Sequence, residues 1–326
     1  MQAVVMNEYG APDVLRLQPF PDPRPIPGWV EVELAASALN WHDVLVRQGL
    51  FQSPLPHVAG ADGSGYRRDT GEKVMVVPSL AWGTREAAPG PGWEILGDHR
   101  PGTYAERVSV PEECLVPVPR GWSITEAAAL PLVGLTTYRA LFTRGRLRSG
   151  ESLLVIGASG GVATTAVRLA VAAGARVVVT SDDPDKIAAA IELGAAAGTP
   201  HSGAGWTSTA RTLSTESQGF DLVLDPVGRW SESLACLRPG GRCVVLGSSA
   251  SPTATLELRP YYFGQYELIG TTMGSPEDMR SLMAMIDRAT VKPPIIDRMF
   301  PLPHAADAHA RLESGQAFGK IVLDHR

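Results

Sequence analysis

The sequence predicts an α/β chain, with a doubly wound parallel sheet set behind a β-rich N-terminal segment. Three observations predict it. From Glu151 onward, short apolar strands alternate with helical patterns, the signature of strand–helix–strand units. The residues before about 120 read instead as short strands and loops. Between them the hydrophobic period changes near Ser123. At 326 residues the chain exceeds one typical domain, so two are expected: 1–122, completed by 266–326, and 123–265.

Each element follows from its residues. VEVELAASAL (30–39) alternates in part and runs into the polar cluster NWHD. EKVMVVP (72–78) and TYAERVSVP (103–111) are strands. The stretch 79–102 is rich in Gly, Pro and Trp without a period, a long loop or small lobe of the kind that is often functional. Ser123-Ile-Thr-Glu126 fits a capping box opening a helix through Leu130. Pro131 and Gly134 interrupt it, and a second helix is expected over 136–144. SLLVIG, RVVVTS, FDLVLDPVG and GGRCVVLGS are strands, with helices in VATTAVRLAVAAG and DKIAAAIELG. After Gly270 come helices 276–289 and 305–313, the segment PIIDRMFPL, and a last strand, KIVLD, expected to rejoin the N-terminal domain.

Composition excludes several classes. The net charge of -5 offers no basic stripe for nucleic acid. No apolar run reaches the ~18 residues of a membrane span. The start MQAVVMNEYG lacks the pattern of a secretory signal, so a cytoplasmic location is expected. Cys114, Cys236 and Cys243 are too few and too scattered for a disulfide framework or a zinc knuckle, and read as small buried hydrophobes.

The strongest chemical signal is the turn Gly157 to Ala163, directly after SLLVI and directly before a helix. Gly157, Gly160 and Gly161 permit a sharp turn and a close approach of pyrophosphate, and Ala163 lets helix pack on strand. Ser159, Gly160, Gly161 and Val162 would face the phosphates at a helix N-terminus. Strand, turn, helix and second strand stand in the required order for a dinucleotide-binding Rossmann unit. Cofactor choice is read at the end of the second strand, in VVVTSDDPDK. Ser181 stands where an NAD-preferring chain places an acid, and Lys186 follows one turn on, so NADPH is expected over NADH. Asp182 and Asp183 would oppose a phosphate if turned inward.

Taken together, LNWHDVLVRQG (39–49), HVAGADGSG (57–65), GTYAERVSVP (102–111), AALPLVGLTTYRAL (128–141), GASGGVAT (157–164), FDLVLDPVG (220–228), GGRCVVLGS (240–248), ELIGTTMGS (267–275) and FGKIVLD (318–324) complete a pattern. The chain resembles the medium-chain dehydrogenase/reductase superfamily, in its quinone-oxidoreductase-like and enoyl-reductase-like branch. The resemblance implies a GroES-like β-rich N-terminal domain joined to a Rossmann domain. It also implies that zinc ligands are missing. The positions that carry them in zinc-dependent members match Asn40, Ala61 and Val133, and the loop 82–102 has no cysteine for a structural zinc. His42, Asp43, His57 and Asp62 lie near but read as polar loop residues.

Zinc in this family polarises an oxygen. Without it, reduction of a quinone or activated C=C is the easier chemistry, because the enolate needs only hydrogen bonds and a proton. By resemblance Asn40 would bond the substrate carbonyl or the nicotinamide. His42, at the place of a Ser or Thr proton relay, would protonate the product. Thr137, Gly247, Ser248, Thr271, Met273 and Lys320 are further cofactor candidates. The tyrosine often found a few residues after the Asn is here Leu45. Trp41, Trp82 and Trp93 would wall an apolar pocket or pack a lobe. A homodimer is implied, joined near Glu267 to Ser275. A zinc-free alcohol or aldehyde reductase, a biosynthetic cyclase and a non-catalytic NADPH-binding protein stay open as alternatives.

Overall fold

The computed structural model describes residues 1–326. The chain forms two compact units: Met1–Leu135 with Gly274–Arg288 and Pro293–Arg326, and Thr136–Met273 with Ala289–Lys292.

In the first unit, Trp29–Ala38 is the central strand of a seven-stranded sheet. It pairs antiparallel with Asp62–Arg67, Arg107–Pro111 and the C-terminal strand Lys320–Asp324. That last pairing brings residue 320 beside the segment that follows Ala38, as the sequence anticipates. The core gathers Val4, Met6, Leu39, Val46, Tyr104, Ile321 and Leu323. The stretch 79–102 does carry a little structure: Ser79–Leu80 pairs antiparallel with Glu94–Ile95. Trp82 and Trp93 pack edge to face at 6.0 Å within this lobe, and the Trp93 Nε1 donates to Ser79 Oγ at 2.9 Å. Trp41 is exposed.

In the second unit six parallel strands run in the order Ala197–Thr199, Arg176–Thr180, Ser152–Val155, Phe220–Asp225, Leu237–Val245, Glu267–Gly270. Taken in sequence this is the doubly wound order 3-2-1-4-5-6, with the switch point at the first strand, directly before the glycine turn. Leu154, Val178, Val223 and Cys243 fill one core of the unit.

Several expectations need correction. The units divide at 135/136 and 273/274 rather than at 122/123 and 265/266. The reason is hydrogen bonding. Ser64 Oγ donates to the Ile124 carbonyl at 2.5 Å and the Leu132 amide donates to Asp62 Oδ1 at 2.6 Å, tying this stretch to the first unit. Glu267–Gly270 pairs with Leu237–Val245, so it belongs to the second. The capping box at Ser123 forms as expected. The helix opened at Ser123 ends at Ala128, before Pro131, as expected, but the second helix starts at Pro131 itself and not near 136, since a first-turn proline needs no amide hydrogen. Gly134 lies inside that helix, and a Cβ there would meet the Leu130 side chain at 2.6 Å, so packing favours glycine at this place. The chain then continues as a π-helix over Arg139–Arg144. The short elements Ala197–Thr199, Trp206–Thr212, Trp230–Ala235 and Leu258–Phe263 carry too few residues to show a period. No helix is long and apolar enough to cross a membrane.

Candidate functional site

The glycine turn has the geometry its residues promise. Gly157 sits at φ +101°, a conformation that disfavours any side chain, and its amide donates to Thr180 Oγ1 at 2.9 Å. This bond fixes the turn to the end of the neighbouring strand. The helix Gly161–Ala172 starts directly after Gly160. Its first intrahelical bond is Thr164 N to Gly160 O, 2.9 Å, so the amides of Gly161, Val162 and Ala163 are left for a partner outside the helix. A Cβ built on Gly157 or on Gly160 would meet nothing within 4 Å. Free amides, open space and a helix N-terminus fit a pyrophosphate.

At the end of the strand Arg176–Thr180 the two aspartates are occupied. Asp182 Oδ1 accepts the amides of His201 and Ser202, each at 3.0 Å, and Asp183 Oδ1 accepts the amide of Asp185 at 3.0 Å. Asp183 thereby caps the helix Pro184–Glu192, in which Lys186 lies half-buried. Ser181 is buried, and its Oγ accepts the Asp183 amide at 3.1 Å.

The remaining cofactor candidates of this unit cluster at strand ends. Gly247 and Ser248 follow Leu237–Val245. Thr271 follows the adjacent strand, its amide on Val245 O at 3.1 Å. Gly247 is required sterically, because a Cβ would fall 2.0 Å from the Pro226 carbonyl. Met273 is buried and takes the Thr136 hydroxyl on its sulfur at 3.7 Å. The hydroxyls of Thr137 and Thr271 are buried without any hydrogen-bond partner. Such orphans are uncommon in native structures; in this unit Thr165 Oγ1, Arg168 Nη1 and Arg242 Nε share the condition.

In the first unit the candidates fall into a buried charged network. Lys320 Nζ donates to Leu39 O at 2.6 Å, Asn40 Oδ1 at 2.5 Å and Asp62 Oδ2 at 3.1 Å. All three ammonium hydrogens are therefore used inside the protein, and Lys320 holds Asn40 and Asp62 rather than a ligand. Asn40 Nδ2 donates to Asp62 Oδ2 at 3.0 Å and, more weakly, to Ala38 O at 3.4 Å. What Asn40 retains is a lone pair on Oδ1. It suits an amide N–H and not a substrate carbonyl, which narrows the role expected of it. No three His, Cys, Asp or Glu side chains converge as a metal site. At the positions matched to zinc ligands, Asn40 and the neighbouring Asp62 already share a cation.

Asp43 ties the N-terminus of helix Trp41–Arg47 to this network. Its carboxylate accepts the amides of Asn40 at 2.7 Å and Ala61 at 3.2 Å, and the hydroxyl of Tyr104 at 3.2 Å. Burial pushes its pKa up to about 6, against the pull of His42, the Asn40 amide and Lys320. Beyond it, Tyr104 Oη lies 3.2 Å from His309 Nε2, and His309 Nδ1 lies 3.4 Å from Arg47. Arginine can only donate, so Nδ1 accepts, Nε2 carries the hydrogen, and Tyr104 passes its own hydrogen to Asp43. Burial, with Arg47 beside it, lowers the His309 pKa to about 3. His42 pairs with Asp98, and His57 Nε2 meets the Gly97 carbonyl at 2.8 Å. The sequence gives no signal for Asp98, Tyr104 or His309, because each meets its partner only through chain folding.

A doubly wound unit with a glycine turn, together with a β-rich unit that carries Asn40, His42 and Asp62, is the architecture of two-domain oxidoreductases that the comparisons match. A family model described as an alcohol dehydrogenase GroES-like domain matches residues 26–120, and one described as a zinc-binding dehydrogenase matches 161–288. A quinone oxidoreductase of Pseudomonas aeruginosa is 31% identical, over 97% of each chain. A 2-methylene-furan-3-one reductase of Solanum lycopersicum is 31% identical, over 99% of this chain and 79% of that one. Among solved structures, an NAD-dependent alcohol dehydrogenase superposes with a TM-score of 0.93 at 35% identity over 100% of both chains. The chain belongs to the medium-chain dehydrogenase/reductase superfamily and is an oxidoreductase of it.

Proposed function

We propose that this protein reduces a quinone, an enone or another activated C=C with NADPH and without zinc. The observation that supports the zinc-free reading is the Lys320 ammonium, held by Asn40 Oδ1 and Asp62 Oδ2 beside the positions that the family resemblance matches to zinc ligands. A second cation there would meet a buried positive charge and too few donors. The names of the Pseudomonas and Solanum relatives support the substrate class.

When bound, the reduced nicotinamide supplies the hydride, and the protein orients and hydrogen-bonds. Ser159, Gly160, Gly161 and Val162 would hold the pyrophosphate. Ser181 and Lys186 would take the 2′-phosphate, with Asp182 and Asp183 kept off it by the amides they cap. Thr137, Gly247, Ser248, Thr271 and Met273 would hold the nicotinamide end. His42 would supply the proton. We further propose a homodimer through Glu267–Gly270, the last strand of the sheet, whose outer edge is unpaired. A single-chain mass in light scattering would dismiss it.

The direct test is oxidation of NADPH with a panel of quinones and enones, alongside elemental analysis. Turnover with zinc below about 0.1 per chain is expected for a site lacking a ligand set. Stoichiometric zinc, or turnover confined to alcohols and aldehydes, would replace this reading. Ser181→Asp should move the NADPH-to-NADH preference toward NADH by about tenfold, from repulsion of the 2′-phosphate. An unchanged ratio of dissociation constants would place the 2′-phosphate elsewhere.

A further inference from the structure

The geometry points to Asp98 as a positioning residue that holds the His42 ring by Nε2 and so leaves Nδ1 as the atom that delivers the proton. This rests on the reductase reading above.

Two unrelated stretches of chain make the pair. His42 stands in the first turn of helix Trp41–Arg47, and Asp98 comes from the lobe 79–102. Both side chains are mostly buried, at 13% and 11% exposure, and Nε2 and Oδ1 are in direct hydrogen-bond contact. Asp98 is brought there by a turn with little freedom. Its own amide donates to Ile95 O at 3.1 Å, and the Leu96 amide donates to Pro78 O at 2.9 Å. Gly97 sits at φ +88°, and a Cβ on it would fall 2.9 Å from the Gly60 carbonyl. Its own carbonyl takes the His57 ring at 2.8 Å. The Phe51 ring, 4.7 Å away, packs on the His42 imidazole from another side. A lobe that reads as irregular loop is thus built to return one carboxylate to one histidine.

The consequence for protonation follows from the donor inventory. A carboxylate accepts, so Nε2 carries its hydrogen toward Asp98. Nδ1 makes no hydrogen bond within the protein and is not sealed from solvent. Three carboxylates act on the ring: Asp98 from the lobe, Asp43 from its own helix and Asp62 from the strand beneath. The last is partly neutralised by Lys320 at 3.1 Å. Burial pulls the imidazole pKa down, the carboxylates pull it up more strongly, and the net result is a raised value.

A bound reduced nicotinamide would supply a hydride, with its two electrons, to the β-carbon of an enone. The part of His42 would be to give the Nδ1 proton to the enolate electron pair, keeping the N–H pair on the imidazole so that the ring becomes neutral, and then to take a proton back from water.

Histidine-labelled NMR titration reads the pair without any substrate. In the wild type His42 should titrate above the ordinary value of 6.5, and a midpoint below it would overturn the inference even if no variant folded. In Asp98→Asn, which keeps an acceptor but loses the charge, the midpoint should fall by about one pH unit or more. An unchanged midpoint would also overturn it. Asp98→Glu should restore most of the shift. In steady state, the alkaline limb of kcat with an enone should move down with the NMR midpoint. His42→Phe should lose at least about 100-fold in kcat, with the Kd for NADPH, read by fluorescence, unchanged. Wild-type turnover in His42→Phe would remove His42 as donor. If no quinone or enone turns over while the NMR shift appears, the reductase reading and the donor role fall together, and the Asp98–His42 pairing stands.

Discussion

Around Lys320, the buried polar atoms of the first unit answer one another: ammonium to Asp62 and Asn40, Asp43 to Tyr104, Tyr104 to His309, His309 to Arg47. At the glycine turn the reverse holds. The amides of Gly161, Val162 and Ala163 have no intrahelical acceptor. The contrast separates groups satisfied inside the fold from groups left open to a partner outside it. A satisfied buried network fixes geometry, and removing one member leaves another charge stranded. An unsatisfied set costs some stability alone and is compensated on binding. The network thus fixes the start of the helix that carries His42, and the turn leaves amides open to a partner outside the helix.

Changes on the two sides should therefore differ in kind. Lys320→Met leaves Asp62 buried without its cation and should cost about 3–5 kcal/mol in urea unfolding. Adding Asp62→Asn should recover part of that loss. An effect below about 1 kcal/mol, as for an exposed pair, would mean the network is not sealed from water. On the other side, Gly160→Val places a side chain in open space at φ -67°, an ordinary conformation. Stability should change by no more than about 1 kcal/mol. NADPH affinity, measured by calorimetry, should fall at least about 30-fold, or about 2 kcal/mol. A stability loss with intact binding would reverse the comparison.

His309→Gln sharpens it through pH. The folded-state pKa of His309 is lowered to about 3 from 6.5. Below pH 6.5 the unfolded chain takes up a proton that the folded one refuses, so this residue's contribution to stability falls as pH falls toward 3. Asp43 works against it. Its folded pKa is raised to about 6, so its contribution rises as pH falls through the interval from 6 to 3.8. The difference in unfolding free energy, His309→Gln minus wild type, should therefore grow by about 1.5 kcal/mol between pH 6.5 and 5. A constant difference would show that His309 titrates freely and that the network opens to solvent.

Much of this was legible in the residues because it is local. The turn Gly157 to Ala163 needs its glycines within a few positions of each other. The capping box at Ser123 closes over four residues, and the helices 276–289 and 305–313 carry their own period. The start of helix Pro131–Tyr138 was misplaced for the complementary reason: Gly134 breaks a helix only where packing does not decide.

The sequence by itself determined that a glycine turn between strand and helix is present and that residues 30–39 and 320–324 are strands. Tertiary structure alone decided what the polar side chains do. It turned Lys320 onto Asn40 and Asp62, residues 280 and 258 positions away, and brought Asp98 to His42 across 56. It also gave Asp182 the amides of His201 and Ser202, 19 and 20 positions away. The physical reason is range: backbone preference is set by near neighbours, whereas a buried charge is set by whichever partners the fold delivers within about 3 Å.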